Sequence, residues 1–168
     1  MISVQTNPSW TGLQVYTFKQ GDIQPLLPLL TQEFPNWPLT RIKSYMNLVT
    51  TKENDVAGIL VSKNEANYYV GLLIYTFQQI DSSLVDKDEK KCKSSNILVI
   101  ENLIASSLIL QNQVFLSLVE KAIIIAKKCS CDFLELPKID DEGYNLTKEK
   151  YKNIVINTHN FRTYLRLK

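Results

Sequence analysis

The segment from residue 97 to residue 136 most constrains how this chain can fold. It starts within a run over residues 96–106 that is apolar at most positions, which is typical of a strand buried on both faces. An apolar-rich segment over residues 112–128 predicts a helix, and residues 132–136 predict a short strand that Pro137 ends. A strand, a helix and a strand in this order predict a parallel, right-handed crossover unit. The helix register places these residues inward: Phe115, Leu118, Val119, Ala122 and Ile125.

The residues before and after this unit predict the remaining layers. Residues 13–19 alternate apolar and polar side chains and predict a strand. Apolar spacing over residues 23–49 predicts two helices, the first of which is shortened or kinked by Pro28. After the unit, residues 147–155 predict a weak helix and residues 161–167 predict a closing strand.

Residues 56–80 predict a hairpin whose strands are joined by a loop over residues 63–67. Alternation along the second strand gives it two apolar faces, which predicts a central position in the sheet. One face holds Tyr69, Gly71, Leu73, Tyr75 and Phe77, and the other holds Val70, Leu72, Ile74 and Thr76.

Together these elements predict an α/β fold with three layers around a mixed sheet. We expect a single domain over residues 1–168, because a chain of this size can bury roughly 70% of its unfolded surface in one core. Residues 81–95 are polar and contain a run of charges, which predicts a solvated loop inserted between two strands.

Composition excludes several classes of function. The chain has 19 Lys and Arg against 17 Asp and Glu, so we expect no nucleic-acid partner. An odd number of cysteines without an apolar leader predicts a reduced, cytoplasmic protein. Short apolar stretches predict no membrane partner. Cys129 and Cys131 are spaced like metal ligands, but with 1 His in the chain we expect no metal site.

The order of elements resembles that of the GNAT superfamily of acyl-CoA-dependent N-acyltransferases. Leu103–Ala105 matches the family's L-x-V-type strand end, and Phe133–Leu136 matches the L-E-L strand that follows its helix. The resemblance covers residues 13–167 and implies a three-layer α/β/α fold with a mixed, mostly antiparallel sheet. It also implies an N-acetyltransferase that moves an acetyl group from acetyl-CoA to a primary amine of a small molecule or peptide.

The family's pyrophosphate-binding loop, Q/R-x-x-G-x-G/A, is where this chain departs from the pattern. In a gapless register the Q/R position falls on Leu110, the small positions fall on Gln113 and Phe115, and none of the 5 glycines lies there. Three explanations stay open: a shifted register, weak acyl-CoA binding, or a relative without turnover. The resemblance implies main-chain cofactor contacts at Leu103, Ile104 and Ala105, and a loop of Leu110, Gln111, Asn112, Gln113, Val114 and Phe115.

Glu101 and Tyr151 are the candidate catalytic residues. Glu101 interrupts the apolar central strand, and burial there would move the proton affinity of a carboxyl group toward a value useful for a general base. The alternatives are a solvated position where the sheet widens, or pairing with a lysine. The resemblance implies a tyrosine proton donor five residues before Phe161, but Ile156 stands there, so Tyr151 or Tyr144 would replace it.

Several aromatic residues are candidates for lining an acceptor cleft, since the resemblance places the first helices and the hairpin on the acceptor side. Core packing is the common role of aromatic residues. The candidates are Trp37, Tyr45, Tyr68 and Tyr69. The alternatives to an acetyltransferase are a non-catalytic binding or regulatory protein of the same fold and an unrelated α/β binding domain. The oligomeric state stays open, with a homodimer as one option.

Overall fold

The structure of the chain is a computed structural model. It describes residues 12–19, 21–51, 56–81, 85, 94–106, 111–137, 141–151, 154–157 and 162–167. For residues 141–144 and 154–157 the description covers the backbone alone, which leaves out the side chains of Tyr144 and Ile156. Leu110 and Phe161 lie outside the described residues.

The described strands form one sheet. They are β1 (Gln14–Phe18), β2 (Ala57–Lys63), β3 (Tyr69–Asp81), β4 (Ser94–Ala105), β5 (Phe133–Leu136), β6 (Ile154–Asn157) and β7 (Arg162–Arg166). Their order across the sheet is β1-β2-β3-β4-β5-β7-β6. Only β4 and β5 run parallel, and every other neighbouring pair is antiparallel. This confirms the mixed, mostly antiparallel sheet and the parallel pair of the crossover unit.

Helices cover both faces of this sheet. They are α1 (Leu27–Glu33), α2 (Leu39–Thr51), α3 (Gln111–Lys128) and α4 (Asp141–Lys150). The face that α3 covers, the α3 face, is packed by Leu60, Leu73, Leu98, Leu118, Leu134 and Leu165. The opposite face, the α1–α2 face, is packed by Ile42, Met46, Ile59, Leu72 and Ile74. The three predicted layers are therefore present.

Proline explains the shortened first helix, as predicted, and β-branched residues explain a difference from the last predicted helix. α1 begins at Leu27 after a 3₁₀ turn, with Pro28 in its first turn, where a missing N–H breaks no intrahelical hydrogen bond. The predicted helix over residues 147–155 is wrong at both bounds. α4 begins earlier, at Asp141, and it stops at Lys150 because Ile154–Asn157 pairs with β7 as β6. Three β-branched residues open that segment and favour a strand.

A β-bulge at Val70 reverses the predicted faces of two hairpin residues. Ser62 pairs with Gly71 and Lys63 pairs with Tyr69, so Val70 has no direct partner in the ladder. Tyr69 therefore packs on the α1–α2 face and Val70 on the α3 face. The predicted alternation is wrong at these positions because a bulge shifts every side chain beyond it to the other face.

The sheet takes in both ends of the predicted polar insertion. β3 runs to Asp81 and β4 begins at Ser94, so the insertion over residues 81–95 is shorter than predicted. Val85, within it, is buried against Ile97 and its neighbours on the sheet. No helix in the described part of the chain is long and apolar enough to cross a membrane.

Candidate functional site

β4 contains a β-bulge at Glu101, close to the point where β4 and β5 separate. On the neighbouring strand Ile74 pairs with Asn102 and Tyr75 pairs with Ile100, so Glu101 is an extra residue on β4. A bulge interrupts the alternation of side chains between the two faces of a sheet. Adjacent residues of β4 can therefore reach the same face.

The side chains of Glu101 and Asn102 both make hydrogen bonds on the α1–α2 face. Thr76 Oγ1 donates to Glu101 Oε1 at 2.8 Å. Asn102 Nδ2 donates to Glu33 Oε1 at 2.9 Å, and the Tyr45 hydroxyl donates to Asn102 Oδ1 at 3.4 Å. Because Glu33 ends α1 and Tyr45 lies in α2, the bulge connects β4 with both helices.

The Glu101 side chain is exposed, although the strand around it is apolar. Ile100 is 2% exposed, and the bulge takes the next residue out of the ladder toward solvent. Of the alternatives that the sequence left open for Glu101, its exposure agrees with the solvated position where the sheet widens. The expectation of a buried Glu101 is wrong, and its carboxylate is accessible to a ligand on the α1–α2 face.

β4 loses its parallel neighbour midway along its length. The last pair that joins β4 to β5 is Val99 with Glu135, and β5 ends at Leu136. Beyond that pair β4 is joined to β3 alone among the described residues. Its free edge includes Leu103, Ile104 and Ala105, the predicted main-chain cofactor contacts. N–H and C=O groups along a free strand edge are available to hydrogen-bond a ligand.

The N-terminus of α3 follows this free edge. Residues 107–110 alone separate the last described residue after β4 from Gln111, where α3 begins. Gln111 and Asn112 are exposed and Gln113 is half-buried. The first backbone N–H groups of a helix have no intrahelical partner and carry partial positive charge, which favours an anion there.

Val114 and Phe115 lie in the core and not at the ligand surface. Their exposed fractions are 0% and 9%, and both pack on the α3 face. They begin the apolar stripe of α3, which confirms the inward position predicted for Phe115; the cofactor contact predicted for this segment stays a prediction. Gly71 on β3 makes room for this stripe, since a Cβ added there would overlap Val114 and Leu118. The Phe115 ring therefore leaves the helix N-terminus open.

Phe34, Trp37 and Tyr45 form an aromatic wall beside the bulge. Phe34 and Trp37 stack with their centroids 4.4 Å apart. Tyr45 meets both edge-on, at 5.8 and 5.7 Å. Burial raises the pKa of Tyr45, and the negative charges of Glu101 and Glu33 raise it further. The Tyr45 hydroxyl therefore stays protonated at neutral pH.

The structure does not bring the other two candidate aromatic residues to this wall. Tyr68 is 71% exposed and is the last residue of the loop between β2 and β3. Tyr69 accepts a hydrogen bond from the Tyr16 hydroxyl at 3.0 Å, and the Lys63 ammonium lies over its ring. Tyr69 is seven positions from Thr76 on β3, about 23 Å along a strand.

Tyr151 lies against a different part of α3. With Ile123 and Lys127 it lines a cavity of about 240 Å³. Ile123 is twelve positions beyond Gln111, about 18 Å along the helix. Burial raises the pKa of Tyr151, and the charge of Glu120 adds to this shift. This placement does not support a catalytic role for Tyr151.

An ion pair that the sequence did not predict joins β5 and β7. Arg162 Nη1 lies 3.0 Å from Glu135 Oε1, and Glu135 is 8% exposed. Burial raises the pKa of Glu135; the Arg162 guanidinium opposes this shift and the charge of Glu101 reinforces it. A carboxylate inside the apolar strand Phe133–Leu136 is the same signal that singled out Glu101.

We expect Arg162→Leu to lower the free energy of unfolding by about 1 kcal/mol at pH 7, because it removes the guanidinium that pairs with the Glu135 carboxylate, in a pair that is partly exposed. Without the guanidinium, the folded-state pKa of Glu135 rises further above the unfolded value of 4.5. The contribution of Glu135 to stability is then largest below that value and is lost as the pH rises through the folded-state pKa, so the loss relative to the wild type grows with pH. Urea titrations from pH 4 to 8 check this, with Lys127→Leu as control. A loss that is the same at every pH would contradict it.

Comparison with known proteins gives matches among solved structures. No protein-family model and no curated protein sequence matches the chain. The aminoglycoside antibiotic 6'-N-acetyltransferase AAC(6')-Ih from Acinetobacter baumannii matches with a TM-score of 0.62 at 13% identity, over 82% of this chain and 88% of that chain. A GNAT family acetyltransferase from Staphylococcus aureus matches with a TM-score of 0.58 at 16% identity, over 79% of this chain and 91% of that chain. AAC(6')-Iy in complex with the bisubstrate analogue CoA-S-monomethyl-acetylneamine matches with a TM-score of 0.60 at 12% identity, over 82% of this chain and 86% of that chain.

These matches agree with the architecture of the sheet. They cover most of this chain and most of each matching chain. Such low identity carries information about fold and not about substrate. The sheet topology, the parallel pair and these matches lead to one conclusion: the chain has the fold of the GNAT acetyltransferases.

Proposed function

We propose that this chain is an N-acetyltransferase that moves the acetyl group of acetyl-CoA to a primary amine of a small molecule or peptide. The observation that carries the proposal is the free edge of β4 beyond Val99, which includes the Glu101 bulge and is followed along the chain by the α3 N-terminus. A main-chain surface and a surface of acidic and aromatic side chains thus meet on one strand. The match to a structure with a CoA bisubstrate analogue supports the proposal.

The described residues fit acetyl-CoA. Main-chain groups of Leu103–Ala105 would hold the pantetheine arm, and N–H groups of the first turn of α3, at Gln111 to Gln113, would face the pyrophosphate. This turn needs no glycine to stay open, because Val114 and Phe115 point into the core. Acetyl-CoA, when bound, supplies a reactive acetyl thioester.

Glu101 is the proposed general base for the acceptor amine. An amine must lose a proton to attack a thioester, and the exposed Glu101 carboxylate lies on the same strand as the proposed cofactor contacts. In the balanced reaction the ammonium group first gives one proton to Glu101; the N–C bond then forms as the C–S bond breaks, and the second proton of the amine passes to the sulfur, which leaves as the thiol of CoA. The Glu33 carboxylate lies on the same face and suits a cationic amine, and the aromatic wall lies beside it.

The class of acceptor is open between a small amine and an amino group on a larger molecule. The match to an aminoglycoside 6'-N-acetyltransferase favours a small amine. AtaT, which has the same fold, is complexed with acetyl-methionyl-tRNAfMet, so a charged tRNA belongs among the acceptors tested. The formal charge of +2 favours the small amine, because nucleic-acid binding is usually marked by a basic excess. The cytoplasmic location and the absence of a metal stay predictions.

We expect CoA to raise the melting temperature by mass action, and Gln111→Glu to weaken CoA binding about fivefold, an effect of about 1 kcal/mol. A carboxylate in the first turn of α3 repels a pyrophosphate but interacts favourably with the helix itself. The variant should therefore be at least as stable as the wild type without ligand. Calorimetry and thermal denaturation measure the two effects.

Gln79→Glu is the matched control, because Gln79 is also exposed but lies on β3 near Lys128, at the opposite end of α3 from Gln111. Its CoA affinity should equal that of the wild type. Equal affinity in all three proteins would place the pyrophosphate elsewhere. No CoA binding at millimolar concentration would overturn the proposed function.

The competing candidate is a non-catalytic binding or regulatory protein of the same fold. It is favoured by the lack of glycine in the first turn of α3. The two candidates differ in turnover and not in CoA binding. Binding of acetyl-CoA without release of CoA, with every amine tested, would select the non-catalytic protein.

A further inference from the structure

The Asn102 carboxamide joins three elements at the edge of the proposed acceptor site. Its Nδ2 donates to Glu33 Oε1 at 2.9 Å, and its Oδ1 accepts from the Tyr45 hydroxyl at 3.4 Å. β4, α1 and α2 each supply one member of this chain of hydrogen bonds. The neighbouring residue on β4 is Glu101, the proposed base.

The direction of these hydrogen bonds is fixed by chemistry. An ionised carboxylate accepts hydrogen bonds and donates none, so the Asn102 amide must turn its NH₂ group toward Glu33. The amide oxygen then faces Tyr45, and the Tyr45 hydroxyl must be the donor. A phenol whose hydrogen is committed to one partner keeps its oxygen lone pairs for a second one.

The surroundings of Tyr45 preserve this arrangement. Phe34 and Trp37 meet its ring edge-on, which restricts the ring to one orientation. The phenol stays protonated because it is half-buried between Glu101 and Glu33. The hydroxyl oxygen is therefore held in place as a hydrogen-bond acceptor beside the bulge.

We propose that Asn102 is a positioning residue that orients the Tyr45 hydroxyl to accept an N–H hydrogen bond from the acceptor amine. The hydrogen bonds then run in one direction, from the amine to Tyr45, from Tyr45 to Asn102 and from Asn102 to Glu33. This inference rests on the proposed function, since it assigns a contact to the acceptor of that reaction. The contact determines how well the amine binds and has no part in holding CoA.

The first test compares Asn102→Ala with Asn96→Ala. Asn96 is exposed at the far end of the same strand, and the hydrogen bonds described for it involve its backbone. We expect Asn102→Ala to raise the KM of the acceptor about tenfold, the effect of losing a good hydrogen bond of about 1.4 kcal/mol. kcat should change less than threefold, and the Kd of CoA should be unchanged. Asn96→Ala should match the wild type in all three.

The second test uses Tyr45→Phe, which keeps the ring packing and removes the hydroxyl. If Asn102 acts through this hydroxyl, Tyr45→Phe raises KM by the same factor, and the double variant is no worse than either single variant. A purely structural role for Asn102 would instead lower the melting temperature without this non-additive effect on KM.

The outcomes separate this inference from the function on which it rests. A wild-type protein without turnover would overturn both. Turnover with the same acceptor KM in the wild type, Asn102→Ala and Tyr45→Phe would overturn this inference alone. Independent, multiplicative effects of the two substitutions would also overturn it, because they would mean that Asn102 does not act through Tyr45.

Discussion

Glu101→Gln is expected to lower kcat/KM for the acceptor about 100-fold, the lower end of the range for loss of general-base catalysis. Glutamine cannot accept the proton of the amine, so turnover falls. It keeps a carbonyl oxygen that can accept the Thr76 hydrogen bond, so the bulge and the fold persist. The Kd of CoA should be unchanged, because the proposed cofactor contacts are main-chain groups. Steady-state release of CoA and calorimetry measure the two quantities.

Glu65→Gln is the matched control for this prediction. Glu65 is an exposed glutamate in the loop between β2 and β3. The same loss of negative charge there should leave kcat/KM within twofold of the wild-type value. If Glu101→Gln keeps the same kcat/KM as Glu65→Gln, Glu101 is not the base.

Gly71→Ala is expected to lower the free energy of unfolding by about 2 kcal/mol and to weaken CoA binding, since overpacking of a core costs about 1–3 kcal/mol. A Cβ on Gly71 would overlap Val114 Cγ1 and come within 2.9 Å of Leu118 Cδ1. α3 can relieve that overlap by moving away from β3. This movement displaces the first turn of α3, at Gln111, from the free edge of β4. Urea denaturation and calorimetry with CoA measure both effects.

Two further variants test this explanation. Gly21→Ala adds the same methyl group where the nearest atoms lie 3.7 Å away or farther, and we expect it to change neither quantity. The double variant Gly71→Ala with Val114→Ala should be no less stable than Val114→Ala alone, because the smaller side chain gives the new methyl group its space. Additive losses in the double variant would show that the contact with Val114 is not the cause.

The crossover unit of β4, α3 and β5 was predictable because local hydrophobic patterns determine each of its elements. Three patterns predict it, and each depends on neighbouring residues alone. They are a run that is apolar on both faces, apolar residues at helical spacing over several turns, and a short apolar strand. Phe115, Leu118, Val119 and Ala122 are accordingly buried as predicted, with Ile125 half-buried. The weak helix at 147–155 failed where propensity was ambiguous and pairing with β7 decided the outcome.

The proposed acceptor site was only partly predictable. Glu101 was visible because a carboxylate interrupts an apolar run, but its exposure depends on a one-residue bulge that leaves no trace in composition. Asn102, Glu33 and Tyr45 are far apart in the chain, and they meet only because that bulge turns Asn102 toward the two helices. Trp37 and Tyr45 were among four equivalent aromatic candidates, which tertiary packing alone could separate.

The release of free CoA from acetyl-CoA tests the central claim most directly. The measurement combines thiol detection with mass spectrometry of the acceptor, for neamine, a lysine-containing peptide and methionyl-tRNA. We predict release that requires an amine, an acetylated product, and a rate about 100-fold lower in Glu101→Gln, as expected for a lost general base. Acetyl-CoA that binds but releases no CoA with any of these amines would contradict an acetyltransferase. Equal rates in the wild type and Glu101→Gln would contradict the site proposed for it.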